Sequence, residues 1–521
     1  MPSRSFTKFI ERVLVKMAVL ENVEPKRVFH YFEEICGIPH GSYNVDKISD
    51  YLVGFAKEQG LRYVQDEYKN VIIYKEASKG YEGAPTLIIQ GHMDMVAVKE
   101  DSCSKDMAVE GLDLETDGKF VYAKGTSLGG DDGIAVAYAL AILEDDSIEH
   151  PALEVVITTN EEVGMDGAIS LDTGLLKGKM LLNIDSEEEG VLTVGCAGGT
   201  RLDASYKLDR IDAEGEAVTI TVQGLTGGHS GTSIYKENAN SNVLMGRILG
   251  KVREGQDVYI VSIGGGEKTN AISKKTKAVI KVKDANKAKE AVDKIAKVLK
   301  EEYRVTDPGL EVSFETVDHG EVGNSKTVGL NEGDGSKVMG QAACGDSKTA
   351  SLNISNRIIN LLIAEPDGVI GHNQDDPSKV ETSLNIGIVE TIDDVFSAKY
   401  EIRSSVHSKM EMIVSMVRTI AEGLEATVTE VSSYPEWEIN TKSKLQKVMT
   451  KVYEEMYGKR PEVELVHAGL ECAVLAKKID GFDGVSIGPD IHDIHTYNEK
   501  LDIASTKRCY EYLLRILKSI K

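Results

Sequence analysis

Residues 85–95 read PTLIIQGHMDM, a short apolar run that stops at a glycine and then presents a histidine and an aspartate. The run does not alternate and is too short for an ordinary helix, which is the pattern of a strand buried on both faces. Three further segments read the same way: NVIIY (70–74), LEVVITT (153–159) and MLLNI (180–184). Between the PTLIIQ and LEVVITT runs lies DGIAVAYALAILED (132–145), Ala-rich and of helical length, entered through a Gly-rich turn. Strand, helix, strand in this order predicts an α/β layered domain.

Working outward, VFHYFEEIC (28–36) and VDKISDYLVGFAKEQG (45–60) space their apolar residues as surface helices with one buried face. After Asp185 the texture changes. AVTITVQ (217–223) and KAVIKVKD (277–284) alternate apolar and polar, as strands with one wet face do, and amphipathic helices over 240–252 and 285–303 lie among them. A second helix, SKTASLNISNRIINLLIAEP (347–366), and the strands TSLNIGIVE (382–390) and SAKYEIRSS (397–405) repeat that order, so internal duplication is expected. From about residue 405 helices predominate again before the strand-like GVSIGPD (484–490). The expected organisation is a first catalytic part over 1–189, an inserted α+β domain over 190–404, and a second catalytic part over 405–521.

A chain of 521 residues exceeds what one core usually supports, in agreement with two domains. Sixty Lys and Arg against 84 Asp and Glu leave a net charge of -24, which repels phosphate backbones and anionic headgroups and argues against nucleic-acid and membrane partners. The six cysteines are scattered singly, as in a reducing compartment, and the basic N-terminal stretch is too interrupted by charge to read as a signal peptide. No apolar run approaches a membrane span. A cytoplasmic protein is expected.

Open α/β sheets bind ligands beyond the carboxyl ends of their strands. PTLIIQ runs into His92 and Asp94, LEVVITT into Glu161 and Glu162, MLLNI into Asp185, and GVSIG into the segment holding His495; Asp131 stands in GGDDG (129–133) just before the helix. A lone histidine or a pair of glutamates is usually structural or solvated. Their joint occurrence at one topological position is what reverses the odds. Imidazoles and carboxylates together suit zinc, with manganese or cobalt as substitutes, and the ligands are too many for one tetrahedral ion, so two metals sharing a carboxylate are expected. In an extended segment His92 and Asp94 share a side, which places Asp94 to orient the imidazole rather than to ligate.

At QGHMDMV, GGDDGIAVAYALAIL, NEEVGMDGA, NIDSEEEG, GLTGGHSG, TNAIS, HAGLEC and SIGPDIHDIHTYNE the chain resembles the aminoacyl-histidine dipeptidase family of two-zinc, aminoacylase-like metallopeptidases, from about residue 24 onward. The resemblance implies a zinc-peptidase-like three-layer catalytic domain with an inserted lid domain and two Zn2+ per chain. It implies that His92 and Asp185 complete one site, Glu162 and His495 the other, that Asp131 bridges them, and that Glu161 is the general base. It further implies that His229, Asn270 and Arg403 contact the peptide's oxygens or its free carboxylate, and that a homodimer could form through the lid.

The sequence departs from the family pattern in two places. GGDDG stands where Gly-Ala-Asp-Asn-Gly is usual, leaving Asp131 or Asp132 as the bridge, with position favouring Asp131. DIHTYNE stands where GPHSP is common and offers His492 as a rival to His495. An N-acyl amino acid deacylase or tripeptidase would use the same metals. A non-catalytic metal or peptide binder would have no need of Glu161, and a structural scaffold would hold no metal.

Overall fold

The computed structural model describes residues 19–316, 348–374 and 376–521. Residues 1–18 of the stretch read for a signal peptide, and Cys344, lie outside the described residues. The chain divides into two units: the first runs to Gly195 and resumes over Trp437–Leu465 and Leu470–Lys521, and the second comprises Cys196–Glu436 and Val466–Gly469.

The apolar runs are strands of one eight-stranded sheet in the first unit. Its spatial order is Arg62–Gln65, Val71–Lys75, Leu153–Thr158, Leu87–His92, Met180–Asn183, Asp483–Ser486, Val191–Cys196 and Glu462–Val466. The strands Leu153–Thr158, Leu87–His92, Met180–Asn183 and Asp483–Ser486 are mutually parallel, with His92 opposite Thr158, Gln90 opposite Asn183 and Asn183 opposite Ser486. Four carboxyl ends therefore finish side by side at one edge of the sheet.

Val71, Ile73, Leu87 and Ile89 point into a core shared with the helices Lys26–Cys36, Asp46–Glu58, Gly130–Glu144, Lys444–Tyr457 and Ile503–Ser519. Their neighbours Ile72 and Ile88 are buried on the opposite face, which explains why the runs are continuous rather than alternating. The helix Gly130–Glu144 is buried all round from Gly133 to Leu143. Each fully covered Leu or Ile there contributes about 1.5–3 kcal/mol. Among the described residues, no helix is long and apolar enough to cross a membrane.

The second unit carries a nine-stranded sheet in which the duplication is explicit. One repeat runs Glu216–Gln223, helix Ser241–Arg253, Val258–Gly265, Thr276–Val282, helix Ala285–Glu302, Glu311–Thr316. The other runs Gly198–Lys207, helix Leu352–Ala364, Val380–Ile392, Val395–Ser404, helix His407–Gly423, Thr427–Tyr434. Both are strand-helix-strand-strand-helix-strand, and both place their four strands in the spatial order fourth, first, third, second, meeting edge to edge where Gly265 pairs with Val389. Side-chain caps from Asn240, Asp284 and Ser351 start three of the four helices.

Both expected boundaries move: Val191–Cys196 is a strand of the first unit's sheet, so that unit runs to Gly195 rather than to 189, and the symmetry of the second unit moves the other. The helix His407–Gly423 and the strand Thr427–Tyr434 belong to the second unit, not to a catalytic part beginning at 405. Thr427–Tyr434 pairs with Gly198–Lys207, and Met410, Ile413 and Val417 of the helix enter that unit's core. The first unit resumes at Trp437 because only there is the second repeat complete.

Candidate active site

His92 ends its strand with its ring 1% exposed, at the edge where the parallel strands finish. Its Nε2 stands 3.2 Å from Asp131 Oδ1 and 3.4 Å from Asp185 Oδ1. On the far side of Asp131, Oδ2 lies 3.1 Å from His495 Nε2, which is also 2.9 Å from Glu162 Oε2. Asp131 thus presents one oxygen to each imidazole. Asp132 is turned the other way: its Oδ2 accepts the backbone N–H of His92 at 3.1 Å, and it also falls within ligand range of His92 and Asp185. His492 sits against Phe120, ring centroids 5.6 Å apart, and belongs to none of the ligand groups.

Local backbone explains the placement of Asp131. Gly129 has φ 68°, and Asp131 and Asp132 are non-helical within the helix Gly130–Glu144, so the carboxylates leave the turn in opposite senses. A Cβ on Gly91 would lie 2.4 Å from Asp132 Oδ2, so only glycine allows the strand end and this turn to meet.

Asp94 holds the ring from behind. Its backbone oxygen is 3.0 Å from His92 Nδ1 and its Oδ1 3.6 Å, while the carboxylate accepts from Ser42 Oγ at 2.8 Å and the Glu161 N–H at 3.1 Å. Glu161 and Glu162 follow their strand in a single 3-10 turn, with donor atoms in range of His92.

Carboxylates outnumber imidazoles here, and the imbalance shows in every titration. Burial pushes Glu161 well above the usual carboxylate range, raises Glu162, and takes Asp185 and Glu187 up to about 7. Burial opposes charge on His495, yet its bonds to Asp131 and Glu162 win and carry it up to about 11. His92 is raised likewise, against burial, by Asp185, Asp131 and Asp94. Asp131 is held well below its ordinary range by the two imidazoles, which overcome its burial, and Asp94 is lowered in the same sense against burial, chiefly by His92. The buried Glu162 Oε1 has no hydrogen-bond partner among the described residues. Such an excess of buried negative charge, converging donor atoms and an unpartnered carboxylate oxygen fit divalent cations, whose charge would balance it. The groups His92, Asp132, Asp185, then His92, Glu161, Glu162, and Asp131, Glu162, His495 each gather their donor atoms within 4.8 Å.

Two glutamates that sequence reading did not single out hold this site. Glu499 accepts the N–H groups of Leu128, Gly129 and Gly130 at 2.8, 3.1 and 2.8 Å. Glu471, fully buried, accepts from Gln90 Nε2 and Thr158 Oγ1 at 2.6 Å each, tying two strand ends together. The only sequence signal for either was its position inside DIHTYNE or HAGLEC.

In the second unit, His229 and Asn270 are brought together. Gly228–His229 pairs with Ala271–Ile272, and the Asn270 carbonyl accepts the Ser230 N–H at 2.8 Å. His229 Nδ1 accepts the N–H groups of Gly231 and Thr232 at 3.2 Å, which leaves the ring proton on Nε2. Arg403 is 4% exposed and donates to Tyr434 Oη at 2.5 Å.

Known proteins resemble this chain to different degrees. The cytosol non-specific dipeptidase of Escherichia coli (strain K12) is 33% identical over 509 residues, covering 97% of this chain and 99% of that protein. The crystal structure of aminoacylhistidine dipeptidase from Vibrio alginolyticus superposes with a TM-score of 0.83 at 31% identity, over 96% of this chain and 98% of that one. The aminopeptidase PepT of Bacillus cereus shares the fold alone, with a TM-score of 0.52 and 15% identity over 96% and 99% of the two chains. The model of Peptidase family M20/M25/M40 matches residues 88–519, and the chain belongs to that family of peptidases.

Proposed function

We propose that this chain is a cytoplasmic two-metal dipeptidase that hydrolyses unblocked dipeptides, Xaa-His among them. The observation that carries the reading is Asp131, with one oxygen 3.2 Å from His92 and the other 3.1 Å from His495. A carboxylate shared by two cations would present its oxygens in this way. Support comes also from the two relatives matched nearly end to end, one named a cytosol non-specific dipeptidase and the other an aminoacylhistidine dipeptidase. In this reading His92 and Asp185 would hold one ion, Glu162 and His495 the other, and Asp131 would serve both. When bound, zinc, or manganese or cobalt in its place, supplies Lewis acidity toward the amide carbonyl and toward water.

Glu161 acts as the general base. Its carboxylate takes a proton from the attacking water and returns it to the leaving amine, one group serving as base and then acid. Asp94 keeps the His92 ring aligned through Nδ1. His229, protonated at Nε2, donates to the oxygen that gains negative charge, with Asn270 beside it, and Arg403 takes the free carboxylate.

The test is hydrolysis of a dipeptide panel, with an Xaa-His member and N-acetylated counterparts, by metal-loaded protein. Turnover of the unblocked peptides with two metals per chain is expected. Preference for the N-acetylated substrates would replace the reading with a deacylase.

A further inference from the structure

His467 opens the HAGLEC segment, and its Nε2 meets Ser383 Oγ at 2.7 Å. Ser383 stands directly opposite Arg403 in the antiparallel pairing of Val380–Ile392 with Val395–Ser404. Directly opposite residues share a face of the sheet, so the imidazole is carried to the guanidinium's side. The GGHSG loop closes on the same place: a Cβ on Gly231 would lie 2.4 Å from the His467 carbonyl oxygen and 3.1 Å from the His229 ring.

Three buried polar atoms in this cluster have no hydrogen-bond partner among the described residues: Arg403 Nε, His467 Nδ1 and Ser230 Oγ. Buried polar groups are seldom left unpaired, and here one is donor only and the other two are able to donate. Burial, followed by the charge of Arg403 and then His229, pushes the His467 imidazole down to about 3, so the ring is neutral. An acceptor at Nδ1 selects the tautomer in which the Ser383 hydroxyl donates to Nε2 and Nδ1 carries the proton.

We propose that His467, oriented by Ser383, donates from Nδ1 to the C-terminal carboxylate of the peptide beside Arg403, and is a specificity-determining residue for substrates with a free C-terminus. This rests on the dipeptidase reading. A neutral donor adds direction without a second positive charge, so the pair distinguishes a carboxylate from an uncharged amide by Arg403 and fixes its orientation by His467.

The experiment compares wild type with His467→Ala, His467→Asn and Ser383→Ala, all metal-loaded full-length protein. It reads kcat and KM on an unblocked dipeptide, and calorimetric Kd for free histidine against histidinamide. For His467→Ala, KM rises about tenfold with kcat within about twofold, and free histidine weakens about tenfold while histidinamide is unchanged. Asn keeps an N–H near the position of Nδ1 and recovers most of the loss; Ser383→Ala, which releases the tautomer, costs about threefold. Equal weakening of acid and amide, or no change in either, overturns the proposal. Should wild type turn over no dipeptide while His467→Ala still loses acid-over-amide discrimination, the carboxylate contact stands and the dipeptidase reading falls.

Discussion

Glu499 holds the turn that carries Asp131 from 368 residues further along the chain: its Oε1 takes the Asp131 N–H at 3.4 Å and the Gly130 N–H at 2.8 Å, and its Oε2 takes those of Leu128 and Gly129. A carboxylate with two oxygens is needed for four donors, whereas an amide offers one. Glu499→Gln is therefore expected to weaken metal binding about tenfold to a hundredfold with the fold intact, because Asp131 loses its fixed direction. Metal titration by calorimetry checks this, with the melting temperature as control.

The proposed reading makes Glu161 the base and not a ligand, although its donor atom stands in one group with those of His92 and Glu162. In Glu161→Gln, turnover should fall about 10²–10⁴-fold while metal content per chain stays that of wild type. Metal analysis beside single-substrate kinetics separates the two roles; loss of metal together with turnover would make Glu161 a ligand instead.

Metal binding should release protons. Without cations His92 and His495 are held protonated, His495 up to about 11 through Asp131 and Glu162, and in the proposed reading both rings must be neutral to ligate a cation. Affinity is thus expected to fall as pH falls from 8 to 6, by about tenfold or more per pH unit if one or more protons are displaced. Calorimetric titrations in buffers of different ionisation enthalpy count those protons. A pH-independent affinity would contradict the charge balance described for the site.

Glu365 sits in the second unit, 5% exposed, with both carboxylate oxygens lacking partners among the described residues, and burial pushes it up to about 8 from an ordinary 4.5. Between those values the folded protein holds a proton that the unfolded chain has released, so stability falls as pH rises through that window. Glu365→Gln removes the dependence. It should be close to wild type at pH 5 and more stable by about 1–3 kcal/mol at pH 8, read from urea unfolding at the two pH values.

Much of the candidate site was legible in the chain itself. His92, Glu161, Glu162 and Asp185 stand directly after apolar runs, and strands buried on both faces announce themselves by continuous Val, Ile and Leu because solvent touches neither side. The preference for His495 over His492 followed from counting along SIGPDIHDIH. The structure turns one ring toward Asp131 and Glu162 and the other toward Phe120.

What the sequence determined by itself were the local terms: period, turn chemistry, and which residue types follow which strand. Tertiary structure alone decided the rest. The end of the second unit at Glu436 follows from Thr427–Tyr434 pairing with Gly198–Lys207, a contact across more than two hundred residues. Glu499 beneath Asp131, Glu471 between Gln90 and Thr158, and Ser383 against His467 are partners of the same kind. Hydrogen bonds and sheet pairings between distant segments leave no periodicity in either segment, because each residue is chosen to satisfy a group that folding alone brings near.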